Sequence, residues 1–192
     1  MSALWKTPKH GEVFIETGFG HGETLSYVVE RPNFKKIYSM DINPVLIEFG
    51  RHRFQDDPRV KILQGKSSEV LRTICDPTKQ TVFWLDAHYS AGIYTQDVEM
   101  DRKLIDEKGE GDCPLLKELA IIKSVAWETP PTILIDDACL FLPEPYQGPW
   151  LQYDRSRFPT TEEIDAALPN GYRKITLGHG DARLFYCFKP LV

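Results

Sequence analysis

The stretch that decides the fold of this 192-residue chain reads Glu16-Thr17-Gly18-Phe19-Gly20-His21-Gly22. It directly follows the apolar run Val13-Phe14-Ile15, which predicts a strand that continues into Glu16. Alternate glycines after a strand let the backbone turn sharply and let a ligand lie against it. A helix is expected next, over 23–30, because Arg31-Pro32-Asn33 then interrupts the helical pattern. The stretch therefore predicts a strand, a ligand-binding turn and a helix.

The rest of the chain alternates short apolar runs with segments of helical spacing, the pattern of βαβ units. The predicted strands cover 36–41, 60–64, 81–85 and 132–135. The predicted helices start at Asn43-Pro44 and at Ser67 or Ser68, and cover 114–126 and 161–168. Two final strand-like runs, 173–177 and 183–188, flank a glycine-containing turn and predict a hairpin. We expect an α/β fold in one domain over residues 1–192: a Rossmann-like three-layer sandwich whose mostly parallel, seven-stranded sheet ends in an antiparallel hairpin.

Two segments stand outside this alternation. Residues 89–112 are polar, with heavy charge over 97–112, whereas residues 139–159 are rich in proline and aromatic side chains. Both follow the carboxyl ends of predicted strands, the edge at which open α/β sheets bind ligands. We expect loops on the substrate side; surface excursions without a role are the alternative.

Charge and composition narrow the partners. No apolar run approaches the ~20 residues of a membrane span, and the N-terminal residues lack the apolar stretch of a signal peptide. A cytoplasmic protein without a membrane partner is expected. The net charge of −5 gives no general attraction to nucleic acid, so we expect no nucleic-acid partner. The oligomeric state stays open, a homodimer included.

A carboxylate closes the second predicted strand at Asp41, where it can accept hydrogen bonds from both hydroxyls of a ribose. The dinucleotide pattern G-x-G-x-x-G fits poorly, because its third glycine would fall at Glu23. Glu23, at the entrance of the predicted helix, would repel a pyrophosphate but tolerates the cationic sulfonium and ammonium groups of S-adenosylmethionine. The sequence favours S-adenosylmethionine as cofactor over NAD, so an NAD-binding oxidoreductase is the less favoured function. A purely structural turn with surface acids is the other alternative.

A second group of acids follows the next two strands of the expected sheet. Asp86 and His88 come after strand four, and Asp136-Asp137 follow strand five. Three converging carboxylates raise each other's pKa unless a cation neutralises them, and oxygen ligands suit Mg²⁺ or another divalent ion. His88 is then a candidate general base. The alternatives are that Asp137 caps a helix or turn and that His88 is a hydrogen-bonded structural residue.

The glycine-rich stretch resembles the E/D-x-G-x-G-x-G motif of class I S-adenosylmethionine-dependent methyltransferases. The resemblance implies a methyltransferase in which Glu16, Gly18, Gly20, Gly22 and Asp41 contribute to the cofactor site. It also implies cofactor contacts for Ser67, on the adenine side, and for Asp86. Many members have an acid next to the position of Ser67, where this chain has Lys66.

The second group resembles the acids of the metal-dependent, macrocin-type O-methyltransferases that act on antibiotic sugars. This resemblance implies that Asp86, Asp136 and Asp137 hold the ion and that His88 replaces an Asp as general base. It implies O-methylation of a hydroxyl on a small molecule or glycan. The chain departs from the family in a longer gap between Asp86 and Asp136 and in starting almost at strand one. A non-catalytic module that binds S-adenosylmethionine is the alternative.

Overall fold

The secondary structure follows the predicted alternation. The computed structural model describes residues 11–90, 92–109, 111–143, 154–179 and 182–190. Within them the strands are β1 (Val13–Thr17), β2 (Lys36–Asp41), β3 (Val60–Gln64), β4 (Thr81–Leu85), β5 (Thr132–Ile135), β6 (Arg173–His179) and β7 (Ala182–Phe188). The helices are α1 (Glu23–Val28), α2 (Pro44–Arg53), α3 (Ser67–Ile74), α4 (Val98–Lys108), α5 (Leu115–Ser124) and α6 (Thr161–Ala167).

All seven strands form one sheet in the order β3-β2-β1-β4-β5-β7-β6. Strands β1 to β5 pair in parallel, and β7 pairs antiparallel with both β5 and β6. The order reverses between β1 and β4, so the turns after these two strands meet at one edge. In open α/β sheets this switch point is the usual ligand site. The predicted fold class is confirmed.

Helices cover both faces of the sheet, because the central strands are apolar on both faces. In β1, Ile15 faces one buried cluster and Phe14 the other. The first cluster includes Leu71 of α3, Leu119 of α5 and Ile164 of α6. The second includes residues of α1 and α2. This gives three layers around a near-continuous apolar sheet, as parallel strands require.

The helix starts differ in detail from those predicted. Asn43 caps α2 as expected, with its side chain accepting a hydrogen bond from Val45 N and Pro44 at the first helical position. The cap residue of α3 is Lys66, so neither Ser67 nor Ser68 caps that helix. Helix α6 begins with a capping box between Thr160 and Glu163. Each shift is about one residue, the usual uncertainty of a helix end.

The expected loop at 89–112 contains the eleven-residue helix α4, and this expectation was wrong for residues 98–108. Asp97 caps the helix at its start and Gly109 ends it in the left-handed conformation. The backbone N–H of Tyr89 donates to the carbonyl of Asp112 at 2.7 Å. The segment between these two residues therefore leaves the sheet edge and returns to the same point.

The second expected loop, 139–159, is described only in part. Residues 144–153 lie outside the described residues. The described parts contain two short 3₁₀ helices, Ala138–Leu140 and Arg155–Arg157, and Arg155 donates hydrogen bonds to the carbonyls of Leu140 and Leu142. These bonds hold residue 155 against the end of β5.

In the described part of the chain, no helix is long and apolar enough to span a membrane.

Candidate active site at the switch point

The glycine-rich turn after β1 is built as the sequence predicted. Gly18, Gly20 and Gly22 all have positive φ, at 81°, 52° and 76°. A Cβ added to Gly18 would lie 2.6 Å from the carbonyl oxygen of Asp86. Such contacts leave no room for a side chain, so the turn runs directly against the end of β4.

Asp41 organises the end of β2 next to this turn. One oxygen of its carboxylate accepts the Gly20 N–H at 3.3 Å, and the other accepts the Asn43 N–H at 2.8 Å. Burial raises the pKa of Asp41, although these backbone N–H groups oppose the rise. The carboxylate retains lone pairs toward the cleft, so it can also accept hydroxyl groups of a ligand.

Two adjoining cavities form one cleft along the switch point. The first is lined by residues that include Gly18, Gly20, Asp41, Asp86, His88 and Asp101. The second extends past Gly18 and Asp41 to Gly65, Lys66 and Ser67. The two cavities share Gly18 and Asp41 and present different residues at their far ends.

Ser67 fits the expected contact with adenine. Its side chain is buried, and its Oγ has no hydrogen-bond partner among the described residues. A buried hydroxyl without a partner costs free energy that a polar ligand atom would recover. Lys66 pairs instead with Glu69 at 3.1 Å. The ammonium group of Lys66 is thus paired with Glu69 at the edge of the second cavity.

Two predicted cofactor residues are not on the cleft wall. Glu16 is 1 % exposed, and its carboxyl accepts a hydrogen bond from Ser39 Oγ on the neighbouring strand. Burial raises the pKa of Glu16 well above its ordinary value, and nearby Asp86 and Asp41 add to the rise. Gly22 lies beneath the ring of Phe19, where a Cβ would meet that ring at 2.7 Å. Both residues support the turn from below the cleft.

The acids after β4 and β5 converge as expected from the strand order. Nε2 of His88 lies 3.5 Å from an oxygen of Asp86 and 3.2 Å from an oxygen of Asp137. Among the described residues, Asp86, His88 and Asp137 form a group whose potential ligand atoms all lie within 4.8 Å of one another. One imidazole and two carboxylates this close together make the group a candidate divalent-ion site.

The tautomer of His88 follows from its other nitrogen. Nδ1 lies 3.1 Å from the carbonyl oxygen of Tyr89, and since a carbonyl only accepts, Nδ1 carries a hydrogen. A backbone bond of this kind fixes the ring and directs the Nε2 lone pair at the metal in many metal sites. Without an ion, burial alone would lower the pKa of His88, but the hydrogen bonds with Asp137 and Asp86 outweigh it and hold that pKa well above its ordinary value.

Asp137 and Asp136 differ in their placement. Asp137 has φ 47°, a left-handed backbone that turns its carboxylate toward His88. It precedes the 3₁₀ helix 138–140 but makes no side-chain cap bond, so the capping alternative does not account for it. Asp136 is outside the group of three ligand atoms. Burial, together with the charges of Asp86 and Asp137, raises the pKa of Asp136 well above its ordinary value.

Desolvation raises the pKa of Asp86 to about 6, against the hydrogen bond from His88. The adjacent charge of Asp137 contributes to the same rise. Burial and the neighbouring charge thus disfavour the ionised form of Asp86, a cost that a bound cation would remove.

Helix α4 and the loop before it cover the first cavity, which the sequence did not indicate. Tyr94, Asp101 and Ile105 all line that cavity. Asp101 is 7 % exposed and accepts hydrogen bonds from Ser90 Oγ, Gly92 N and Thr95 Oγ1 at 2.9 to 3.1 Å. The loop is thus tied to the helix by a single buried carboxylate.

A second buried carboxylate, Asp112, joins the two segments expected on the substrate side. It pairs with Arg102 of α4 at 2.6 Å and with Arg157 at 3.1 Å. The guanidinium of Arg102 also lies 3.9 Å above the ring of Tyr89. Asp112 therefore links the segment 89–112 to the segment 139–159, and both to Tyr89, which follows His88.

The fold matches that of known methyltransferases. The structure aligns with an S-adenosylhomocysteine-bound methyltransferase from Podospora anserina at a TM-score of 0.57 and 18% identity, covering 98% of this chain and 77% of that one. The chain has the class I methyltransferase fold. A class I methyltransferase described as S-adenosylmethionine-dependent, from Aquifex aeolicus, aligns at a TM-score of 0.57 and 15% identity, covering 97% and 87% of the two chains.

A Klebsiella pneumoniae protein described as an O-methyltransferase also shares this class I fold, at a TM-score of 0.57 and 11% identity over 98% and 78% of the two chains. No protein-family model matches the sequence. No curated protein sequence matches it. At these identities the likeness is one of fold, and the reaction has to be argued from the site.

Proposed function

We propose that this chain is an S-adenosylmethionine-dependent methyltransferase that methylates a hydroxyl of a small molecule or glycan with the help of a divalent ion. One observation carries the proposal. Asp86 and His88 line the same cavity as Gly18, Gly20 and Asp41, so the candidate ion site and the candidate cofactor site share a wall.

The cleft residues fit the parts of the cofactor in order. Ser67 offers a buried hydroxyl without a partner to the adenine, and Asp41 offers carboxylate oxygens to the ribose hydroxyls. Gly18 and Gly20 line the first cavity, where the remainder of the molecule would lie. The carboxylates of Asp41, Asp86 and Asp101 suit a ligand that carries sulfonium and ammonium charges. The same carboxylates disfavour a polyanionic acceptor, which supports the expectation of no nucleic-acid substrate.

The ion would be held by Asp86, His88 and Asp137, with the tautomer of His88 set by the Tyr89 carbonyl. A bound divalent ion would supply Lewis acidity, which lowers the pKa of a coordinated acceptor hydroxyl toward neutral pH. The imidazole in the donor set favours Mn²⁺, Fe²⁺, Co²⁺ or Zn²⁺ over the Mg²⁺ expected from carboxylates alone. Helix α4 lines one side of the cavity through Asp101 and Ile105.

The sequence-based role of His88 as general base is a distinct prediction. Nε2 of His88 cannot bind an ion and accept the acceptor's proton at the same time. Our proposal assigns Nε2 to the ion because it faces Asp86 and Asp137 together. The two roles give different results when metal affinity is measured in a His88 variant.

The rival function is a non-catalytic module that binds S-adenosylmethionine. One observation favours it: a protonated His88 already bridges Asp86 and Asp137, so the group needs no ion to be stable. In the module, binding of the cofactor would be independent of metal and no methyl group would be transferred.

The test measures S-adenosylhomocysteine production over a panel of sugars and phenols. The protein is first treated with chelator and then supplied with Mg²⁺, Mn²⁺, Co²⁺ or Zn²⁺ in turn. We expect turnover that depends on added metal and is lost in Asp137→Asn. Cofactor binding without turnover under any metal would support the module, and tighter binding of NAD than of S-adenosylhomocysteine would contradict both.

A further inference from the structure

The ring of Tyr94 closes the cleft at the end away from Ser67. A Cβ added to Gly20 would lie 2.9 Å from Cζ of Tyr94 and 3.2 Å from its hydroxyl oxygen. The ring therefore rests on the backbone of the glycine turn itself. Its other neighbour is His21, whose ring centroid is 5.1 Å away in an edge-on arrangement.

The two cavities assign an end of the ligand to Tyr94. Tyr94 lines the first cavity, whereas Lys66 and Ser67 line the second, and Gly18 and Asp41 lie between them in both. If adenine lies at Ser67 and the ribose at Asp41, the amino-acid end of S-adenosylmethionine lies at Gly20. That end is the one beneath Tyr94.

The loop that carries Tyr94 is held in place before any ligand arrives. Gln96 adopts φ 60° and its N–H donates to the carbonyl of Gly92 at 2.7 Å, which closes a turn around Tyr94. Asp101 accepts hydrogen bonds from three groups of residues 90–95, on both sides of Tyr94. A non-glycine residue in the left-handed region costs free energy, and it persists here because these bonds hold the turn.

We propose that Tyr94 binds the amino-acid end of the cofactor and sets the preference of the site for ligands that carry this end, with Asp101 as its positioning residue. This inference rests on the proposed function, because it takes S-adenosylmethionine as the ligand. The ring atoms Cζ and Cε1 lie nearer to the Cβ position of Gly20 than the hydroxyl oxygen does, so the ring is taken as the part of Tyr94 that meets the ligand. Tyr94 belongs to the segment between β4 and α5, so the sequence motif of the cofactor turn does not reveal it.

The test compares two ligands by calorimetric titration: S-adenosylhomocysteine, and 5′-methylthioadenosine, which lacks the amino-acid end. Tyr94→Ala should weaken S-adenosylhomocysteine by about tenfold or more, as loss of one buried aromatic contact does, and change 5′-methylthioadenosine by less than about twofold. Tyr94→Phe keeps the ring and should stay within about threefold of wild type for both ligands. Ile93→Ala, an exposed neighbour in the same loop, is the matched control.

Asp101→Asn tests positioning. It should also weaken S-adenosylhomocysteine, and the double variant with Tyr94→Ala should bind no worse than Tyr94→Ala alone, because residues that act through one contact are not additive. A general structural role for Asp101 would instead give additive losses.

The outcomes separate this inference from the proposed function. Failure of the wild-type protein to bind S-adenosylhomocysteine overturns the proposed function and this inference with it. Tight wild-type binding that Tyr94→Ala leaves unchanged, or an equal loss for both ligands in folded Tyr94→Ala, overturns this inference alone.

Discussion

Nε2 of His88 lies 3.2 Å from Oδ2 of Asp137, a contact that joins the ends of strands β4 and β5. The ring is already oriented by the Tyr89 carbonyl, so Nε2 lies between the carboxylates of Asp86 and Asp137. We predict that His88→Ala loses divalent-metal affinity together with turnover, while S-adenosylhomocysteine binding stays within about threefold of wild type. Metal titration by calorimetry, with His52→Ala on the exposed face of α2 as control, measures this. Intact metal affinity with a turnover loss of about 10²–10⁴-fold would assign His88 as general base instead.

The carboxylate of Asp41 is predicted to carry the ribose contact. Asp41→Ala removes an acceptor for ligand hydroxyls and also the bond to Gly20 N. Because hydrogen bonds to a charged group contribute about 1.5–3 kcal/mol, S-adenosylhomocysteine should bind about 10- to 100-fold more weakly. Asp56→Ala, an exposed acid after α2, should bind like wild type. Unchanged affinity in folded Asp41→Ala would move the ribose away from the end of β2.

The glycine turn lies so close to the end of β4 that we predict a loss of stability when Gly18 gains a side chain. Gly18→Ala places a Cβ 2.6 Å from the Asp86 carbonyl oxygen, at φ 81°. The control is Gly109→Ala, at φ 67°, where a Cβ would meet nothing within 4 Å. The control carries only the left-handed penalty of about 1–2 kcal/mol, and Gly18→Ala should lose a further 1–3 kcal/mol, roughly, in free energy of unfolding. Urea denaturation compares them, and equal losses would mean that the turn has room at Gly18.

Because Glu16 is buried, we predict that the stability of the cofactor-free protein depends on pH. Its pKa is raised in the folded state by burial, so the folded protein holds a proton that the unfolded chain releases above its ordinary pKa. Stability should therefore fall as the pH rises from that ordinary pKa toward the raised one, by about 1.4 kcal/mol for each unit between them. Glu16→Gln cannot ionise and should gain stability relative to wild type as the pH rises above the ordinary pKa of Glu16.

Denaturant unfolding at several pH values measures the difference for Glu16→Gln. The control, Glu48→Gln, alters an exposed acid of α2 and should follow the wild-type profile. Parallel profiles for Glu16→Gln and wild type would show that Glu16 is ionised in the folded protein.

The strands were predictable from the sequence because each central one is an apolar run buried on both faces. Helix α4 was not predictable in this way, since most of Val98–Lys108 is exposed and only part of one face meets the cleft. Amphipathic spacing identifies helices that pack on a sheet, and a helix that covers a ligand cavity lacks that signal.

The site was predictable to the level of which strand ends meet. Asp86 and the Asp136-Asp137 pair had to converge once β4 and β5 were neighbours. Which acid of the pair faces His88 depends on the left-handed backbone of Asp137, and nothing in the residue type indicates it. Tyr94 could not be placed, because its contact with Gly20 joins residues far apart in a segment without a motif.

The hydrogen bond from Tyr89 N to the Asp112 carbonyl makes the covering segment an insert with adjacent ends. The length of a loop with adjacent ends can change at little cost, because the entropic cost of closing the loop grows only with the logarithm of its length. The segment between Tyr89 and Asp112 can therefore vary on its own. A relative with a different stretch between these two residues would keep the sheet and the glycine turn. Exchange of this segment would replace Tyr94 and Arg102 together. It would therefore alter both the ligand contacts and the link through Asp112 to Arg157.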